Sequence, residues 1–278
     1  MVRFKQKLHQ SNLNNKQEFQ EMEIVTIPCL QDNFAYLLIC QKTGEAAIVD
    51  PSEADPVRKE INYQNVKLTT ILNTHHHWDH VGGNKELKSD FPDLKIYGHS
   101  SDRGRIPEQT EFLEEGDHVM FGEQSGSFLY NPGHTLGAIT YLFGEAAFTG
   151  DTLFAAGCGR LFEGTPEQMY YSLNKCIGIL PDNTQLYFGH EYTENNLRFA
   201  LSVESGNTEI NKKLTDVKGL RSSGKFSTPT TIYEEKKTNP FLRCTSDEIK
   251  SAVKSIDPEN DLTEKEVFRT LRELKDVF

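Results

Sequence analysis

The chain has 278 residues, which is enough for one large domain or two modest ones with a substantial core. Its formal net charge of −11 argues against a general nucleic-acid binder, because such proteins neutralise phosphates with a basic face. No apolar stretch approaches the length needed to span a bilayer, so we expect no membrane association. The five cysteines form no C-x-x-C pair, which favours free thiols in a reducing, cytoplasmic compartment.

The first segment, residues 1–21, is polar and rich in Asn, Gln and Lys. This composition is typical of a disordered extension. A mitochondrial presequence is the weaker alternative, because the segment contains Arg3 as its only arginine and also carries Glu18 and Glu21.

Four short apolar runs further along the chain predict buried strands, because they are rich in β-branched and aromatic residues and are bounded by polar residues, Gly or Pro. Each run leads into a histidine or an aspartate. The runs are residues 68–72 before His75, 128–130 before His134, 146–148 before Asp151, and 186–188 before His190. Reactive groups in the loops at one end of a rigid scaffold are a common way for a fold to carry chemistry.

The segment Thr74–His80 carries the strongest signal, since His75, His77, Asp79 and His80 fit the spacing T-H-x-H-x-D-H. Imidazole nitrogens and carboxylate oxygens are the ligands of catalytic divalent ions, with zinc the first choice and iron or manganese open. A polar loop or an expression tag is the alternative. A tag is an uninterrupted terminal run, however, whereas Trp78 and Asp79 interrupt this internal one.

The later ligand candidates are weak when taken singly. A lone histidine after a strand is more often an ordinary core or surface residue, and an aspartate after glycine is more often a turn residue. The conjunction of four strand ends is what favours a metal centre. The other histidines lack this context, and we expect them at the surface or behind the ligands: His9, His76, His99 and His118.

Helical patterns separate the first part of the chain from the last. A helix is predicted near residues 168–179, and three more are predicted at 195–205, 246–253 and 263–277. Residues 219–238 are rich in Gly, Ser, Thr and Lys and predict a connector. We therefore expect an α/β metal-binding domain over residues 22–190 and a smaller helical domain over residues 191–278.

The seven candidate ligands, in this order, resemble the metallo-β-lactamase superfamily. Within it, further segments resemble the hydroxyacylglutathione hydrolase (glyoxalase II) family, and the likeness covers residues 22–278. These segments are residues 27–34, 157–165, 189–193, 239–243 and 272–276. The resemblance implies a four-layer αββα sandwich followed by a small α-helical C-terminal domain.

The resemblance also implies roles for single residues. One metal ion would be held by His75, His77 and His134, and a second by Asp79, His80 and His190. Asp151 would bridge the two ions and act in catalysis together with Asp79. The implied substrate contacts are Arg160, Phe162, His190, Tyr192, Arg272 and Lys275.

The implied activity is hydrolysis of S-(2-hydroxyacyl)glutathione thioesters, the second step of methylglyoxal detoxification, by water that two divalent ions activate. The partner would be a small glutathione thioester, and the enzyme a monomer. A nucleophilic serine or cysteine is disfavoured, because no G-x-S-x-G elbow appears and no cysteine has an identifiable histidine partner. Cys158 is also disfavoured as a ligand, because the nitrogen and oxygen set is complete without it.

Two other classes remain open. A lactonase, a β-lactamase, a persulfide dioxygenase or a thioesterase for a different thiol would share the first motif. Phe162 stands where some family members have tyrosine, which leaves the thiol carrier open. The aspartate at position 151, where β-lactamases of this fold typically have cysteine, and the terminal pair Arg272 and Lys275 favour the glutathione thioesterase. A non-catalytic metal-binding protein is the last alternative, and it would be expected to lack at least one ligand.

Overall fold

The computed structural model describes residues 22–278, and the predicted disordered extension at residues 1–21 lies outside the described residues. Strands β1 to β6 form one six-stranded sheet in chain order. The first three strands are antiparallel and the last four run parallel to one another. They are β1 (Met22–Cys29), β2 (Asn33–Cys40), β3 (Glu45–Val49), β4 (Lys67–Leu72), β5 (Lys95–His99) and β6 (Glu111–Leu113).

The second sheet also has six strands, in the order β14-β13-β10-β9-β8-β7. Its strands β10 and β13 are parallel neighbours. A short hairpin of β11 (Leu153–Phe154) and β12 (Gly157–Cys158) follows β10. The strands of the sheet are β7 (Val119–Phe121), β8 (Gln124–Tyr130), β9 (Ile139–Phe143), β10 (Ala146–Gly150), β13 (Gln185–Phe188) and β14 (Thr230–Thr231). All four strands predicted to precede a ligand are thus confirmed.

The helices cover the outer faces of the two sheets. Helix α4 continues directly into a π-helical segment, Ser172–Ile177, and short 3₁₀ turns occur at Ser100–Asp102 and Pro240–Leu242. The α-helices are α1 (Ala54–Gln64), α2 (Trp78–Val81), α3 (Asn84–Asp90), α4 (Pro166–Tyr171), α5 (Thr193–Val203), α6 (Thr208–Ser222), α7 (Ile232–Thr238), α8 (Asp247–Ile256) and α9 (Glu264–Asp276).

The layering follows from the alternation of side chains along each strand. On β2, Tyr36 and Leu38 pack between the two sheets, whereas Leu37 and Ile39 pack against Val57 and other residues of the first helical layer. On the second sheet, Phe148 and Phe188 face the other sheet. Ala147 and Leu186 face outwards against Phe199, Phe241 and Phe268 of the C-terminal part. The predicted αββα sandwich with a helical C-terminal region is therefore confirmed.

The predicted connector at residues 219–238 is wrong over most of its length. Helix α6 continues to Ser222, β14 pairs with β13, and α7 occupies the rest of the segment. Helix α7 begins where it does because Oγ1 of Thr231 accepts a hydrogen bond from the backbone N–H of Glu234 at 3.2 Å. The strand β14 thus lies in the predicted helical domain and completes the sheet of the predicted metal-binding domain.

Within residues 22–278, no helix combines the length and the apolar character that crossing a bilayer requires. All five cysteines are free, as the composition predicted.

Candidate metal centre and active site

Strand ends from both sheets bring the seven candidate ligands together. In the second sheet, β10 leads into Asp151 and the parallel β13 leads into His190, so both residues lie at the same edge. In the first sheet, β4 leads into the segment that contains His75. The approach is so close that a Cβ atom on Gly189 would lie 2.3 Å from Oδ1 of Asp151, which explains the glycine before His190.

Six of the seven residues fall into two groups of three whose ligand atoms lie within 4.8 Å of one another. We name them group A and group B. Group A contains His75, His77 and His134, and group B contains Asp79, His80 and His190. They coincide with the two sets that the family resemblance implied. Ligand atoms of His75, His80 and Asp50 also lie within this distance of one another.

Asp151 contacts both groups. Its Oδ1 lies 3.3 Å from Nε2 of His80, and its Oδ2 lies 3.3 Å from Nε2 of His190. The same Oδ2 lies 3.5 Å from Nε2 of His134, which belongs to group A. A carboxylate in this position could serve two ions at once.

Outer partners fix the orientation of the rings. Nδ1 of His80 lies 3.0 Å from Oδ2 of Asp50, and Nδ1 of His190 lies 2.9 Å from Oδ1 of Asp32. Nδ1 of His134 donates to the backbone carbonyl of Arg160 at 2.8 Å. Each contact leaves Nε2 facing the centre, which is the arrangement that metal-ligating histidines usually show.

The donor set fits metal ions by an independent criterion. Among the residues described, Nε2 of His75, Nε2 of His80 and Oδ1 of Asp151 are buried without a hydrogen-bond partner. Leaving one such group buried and unsatisfied costs about 1–3 kcal/mol. Divalent cations would satisfy all three atoms, and the nitrogen and oxygen donors suit zinc, iron or manganese.

The electrostatics of the centre differ between the two groups. Burial and the neighbouring imidazoles lower the pKa of His75 well below its usual value and lower the pKa of His77 to about 4, so both rings are neutral donors. Burial also lowers the pKa of His134. In group B, burial opposes protonation, but the neighbouring carboxylates, Asp151 first among them, together outweigh burial through their charges and hydrogen bonds. They raise the pKa of His80 to about 10 and that of His190 to about 12. Carboxylates that favour a proton at these rings also favour a metal cation there.

The remaining histidines lie outside both groups. His76 has its Nδ1 3.1 Å from Oδ1 of Asp102, His99 stacks on Tyr130 at 4.5 Å between ring centroids, and His118 is exposed. His9 lies outside the described residues.

Sequence reasoning missed the outer partner Asp50, and it noted Asp32 and Asn33 only as parts of a family-like segment, without a role. Asp50 directly follows β3, so the rule that found Asp151 after β10 would also have found Asp50. Asp32 and Asn33 lie at the β1–β2 turn, where a short polar pair carries no such signal.

A cavity of about 710 Å³ opens beside the centre. Every predicted substrate contact lines it: Arg160, Phe162, His190, Tyr192, Arg272 and Lys275. The ring of Tyr192 stacks almost parallel on that of His190, with 4.7 Å between the centroids. The ring of Phe162 lies 5.4 Å from that of His77, and its side chain is largely exposed.

The two terminal cations occupy different environments. Arg272 is 4% exposed, and its Nη1 donates to the carbonyl of Cys158 at 2.9 Å, while Nη2 donates to Asp276 at 3.0 Å. Nζ of Lys275 lies 5.0 Å from the ring centroid of Phe278, and the structure gives it no carboxylate partner within residues 22–278. Burial, and secondarily the charge of Arg272, lowers the pKa of Lys275 to about 8. Of these two cations, Lys275 is therefore the one that remains available to a ligand in the cavity.

Comparison with known proteins agrees with this architecture. Residues 32–190 match the family described as "Metallo-beta-lactamase superfamily". Two solved structures have the same fold. The BLEG-1 B3 metallo-beta-lactamase has a TM-score of 0.61 and 23% identity, with 79% of this chain and 99% of that chain covered. TTHA1623, solved in a di-iron-bound form, has a TM-score of 0.55 and 26% identity, with 79% and 100% covered. The fold and the histidine–aspartate centre thus define the class as that of the metallo-β-lactamase-type enzymes.

The C-terminal part narrows the class. Residues 191–278 match the family described as "Hydroxyacylglutathione hydrolase C-terminus". The hydroxyacylglutathione hydrolase of Trichormus variabilis is 48% identical over 265 residues, which cover 92% of this chain and all of that protein. The chain therefore belongs to the hydroxyacylglutathione hydrolase family of the metallo-β-lactamase superfamily, as the sequence motifs predicted.

Proposed function

We propose that this chain hydrolyses S-(2-hydroxyacyl)glutathione thioesters, with S-D-lactoylglutathione yielding D-lactate and glutathione. The observation that carries the proposal is that all seven ligand candidates converge beside one cavity that is also lined by Lys275, a cation with no carboxylate partner among residues 22–278. The metal ligands alone would be common to the whole superfamily. The cavity cations alone would suggest only the binding of an anionic ligand.

The proposed cofactor is a pair of divalent ions, zinc in the first place. Group A would hold one ion, group B the other, and Asp151 would contact both. Such ions supply an acidified water and polarise a carbonyl oxygen, so no side-chain base is required. Neutral His75 and His77 would donate nitrogen lone pairs, and the partly exposed Asp79 and the buried Asp151 would supply the negative charge that retains the cations.

The thioester end and the glutathione end of the substrate would meet different side chains. Glutathione carries carboxylates, and an acidic protein needs placed cations to bind them. Lys275 and the exposed Arg160 offer these charges at the cavity, and the hydroxyl of Tyr192 offers a further donor. Arg272 would act mainly by holding the Cys158–Gly159 backbone, because its Nη1 is used there. Phe162 would contribute apolar contact only.

The domain division at residues 190 and 191 gives each part a role in this proposal. The first part supplies the seven ligands, and the second supplies Tyr192, Arg272 and Lys275. Because one chain supplies the whole set, we propose that the monomer is active.

The test is an assay of the purified chain against S-D-lactoylglutathione with a thiol-reactive dye. We expect thiol release with saturable kinetics, and much slower hydrolysis of a lactone, a β-lactam or the lactoyl thioester of a different thiol. Preferential hydrolysis of one of those compounds would contradict the proposal and indicate a lactonase, a β-lactamase or a thioesterase for that thiol. Oxygen consumption with glutathione persulfide would indicate a persulfide dioxygenase.

A further inference from the structure

The turn between β1 and β2 is bonded directly to the segment that carries His190. The backbone N–H of Phe34 donates to the carbonyl of Gly189 at 2.8 Å, and the N–H of Glu191 donates to the carbonyl of Asp32 at 2.9 Å. Between these bonds, Asn33 pairs with His190 as an isolated antiparallel bridge. The first sheet is thus joined to the end of β13 at the edge of the candidate metal centre.

Two consecutive side chains of this turn contact two different ligands. Oδ1 of Asp32 lies 2.9 Å from Nδ1 of His190. Nδ2 of Asn33 donates to Oδ2 of Asp79 at 3.1 Å and to the Asp79 carbonyl at 3.0 Å, and it also lies 3.5 Å from Nε2 of His190. Asn33 is buried, whereas the side chain of Asp32 is 37% exposed. Both contacts are made to group B.

Group A is supported in another way. Nδ1 of His134 donates to a backbone carbonyl, that of Arg160, and Nδ1 of His75 lies 3.1 Å from Oγ1 of Thr74. In the described part of the chain, no hydrogen bond joins the side chain of Asp32 or Asn33 to a residue of group A. The side chains of the turn therefore contact group B directly, and they reach group A only by way of Asp151, which contacts both groups.

We infer that Asp32 and Asn33 are positioning residues that set how tightly group B holds its ion, independently of group A; the inference rests on the proposed two-ion function. The Asp32 carboxylate fixes the His190 tautomer with its Nε2 lone pair directed to the centre and makes that nitrogen more basic. The Asn33 amide holds the Asp79 carboxylate and backbone in one orientation. Neither residue supplies a ligand atom.

The experiment uses the purified full-length protein loaded with Zn²⁺. Metal content is measured by elemental analysis, and the release of Zn²⁺ to a chromophoric chelator is followed over time. In Asp32→Ala and in Asn33→Leu, we expect one ion per chain to leave about 10- to 100-fold faster, the range typical of outer-partner substitutions, while the other keeps its wild-type rate. Asp32→Asn retains an oxygen acceptor for His190 and should fall between Asp32→Ala and the wild type.

The matched control is Gln31→Ala, because Gln31 is an exposed residue of the same turn that contacts no ligand, and its release curve should match the wild type. The melting temperature of each variant is measured to check that it folds. If Asn33→Leu does not fold, the metal release of Asp32→Ala tests the inference. Suppose that the wild type holds two ions but the variants release both ions faster to the same extent, or release neither ion faster. The positioning role is then wrong, while the proposed two-ion function stands. A wild type with fewer than two ions contradicts the two-ion centre and overturns the inference with it.

Discussion

Asp151 is the residue on which the two ligand groups depend jointly. Burial raises the pKa of its carboxyl group, but the charges of His190 and His80 outweigh this and lower the pKa well below the usual value. The side chain is therefore a carboxylate held among three imidazole nitrogens at 3.3 to 3.5 Å. Removing it takes negative charge from both groups at once.

We predict that Asp151→Ala loses metal and activity together. The loss in kcat/KM should exceed the roughly 10- to 100-fold that changes to outer partners of metal sites cost, because a ligand itself is removed. Metal per chain and thioester turnover are measured on the same sample. Asp182→Ala is the control, since Asp182 forms an exposed ion pair with Lys236. Two ions per chain and full turnover in Asp151→Ala would show that the bridging role is wrong.

Lys275 acts on binding rather than on chemistry in this account. We predict that Lys275→Ala mainly raises KM, because loss of one charge-assisted contact costs about 1–3 kcal/mol, or roughly ten- to a hundredfold in kcat/KM. Metal content should stay unchanged. The effect should vanish for a small thioester that lacks the glutathione carboxylates. Equal losses on both substrates would mean that Lys275 shapes the cavity in general.

The same contact predicts a pH dependence with a definite sign. The ammonium form of Lys275 binds carboxylates, and it is lost as the pH rises through about 8, because burial lowers the pKa from 10.5. KM for the glutathione thioester should therefore rise between pH 7 and pH 9. In Lys275→Arg the rise should be absent, because an arginine stays charged throughout this range.

At the level of elements, helix α7 fixes the hairpin that follows Asp151. Glu235 is completely buried, and its Oε2 accepts from the backbone N–H of Ala156 at 2.7 Å and from Asn239 at 2.9 Å. Its Oε1 accepts from Lys213 and from Thr230, each at 2.8 Å. One carboxylate thus joins α6, α7, β14 and the β11–β12 hairpin.

We predict that Glu235→Ala lowers the free energy of unfolding by about 3–5 kcal/mol, because the Ala156 N–H and the Asn239 amide lose their buried acceptor and Lys213 loses its ion pair at 2.8 Å. Glu234→Ala is the matched control, because the Glu234 side chain is half exposed, lies 3.7 Å from Lys213 and, within residues 22–278, accepts only from Thr230, at 2.9 Å. Its loss should cost less than about 1 kcal/mol. Denaturant unfolding of both variants measures the difference. Equal effects would show that the Glu235 network contributes no more than a surface pair.

The strands that lead into the ligands could be predicted from the sequence, whereas helix α6 and the outer partners of the ligands could not. The apolar run of β13 and the apolar, β-branched run of β4 both end abruptly, so the end of each strand can be recognised from local sequence. Helix α6 buries only Ile210 and Val217 and contains a glycine, so its stability comes from packing and its local pattern is weak. Outer partners such as Asp32 act across 158 residues of sequence, a separation that no local pattern records.

On the scale of the whole molecule, the C-terminal part packs against the second sheet through one hydrophobic cluster that includes Leu186, Phe199 and Phe268. Tyr192 and Lys275 reach the cavity from this part. The distance between the metal centre and the substrate cations is therefore set by packing in the core, which explains why a terminal helix can contribute to the site.

All site residues lie beyond residue 21, which leads to a prediction about the first segment. Deletion of residues 1–21 should leave thioester turnover and melting temperature nearly unchanged, because the segment contains no candidate ligand and β1 begins at Met22. Turnover and thermal unfolding of the shortened and full-length proteins are compared. A large loss of either would mean that the segment contributes to the fold or to the site.

The most direct test of the central claim is to measure S-D-lactoylglutathione hydrolysis and metal content together while metal is removed by a chelator and then restored with Zn²⁺, Fe²⁺ or Mn²⁺. The two-ion centre formed by groups A and B with Asp151 predicts that turnover falls with metal content and recovers as two ions per chain return. Undiminished hydrolysis by metal-free protein, or none by protein that holds two ions, would contradict it.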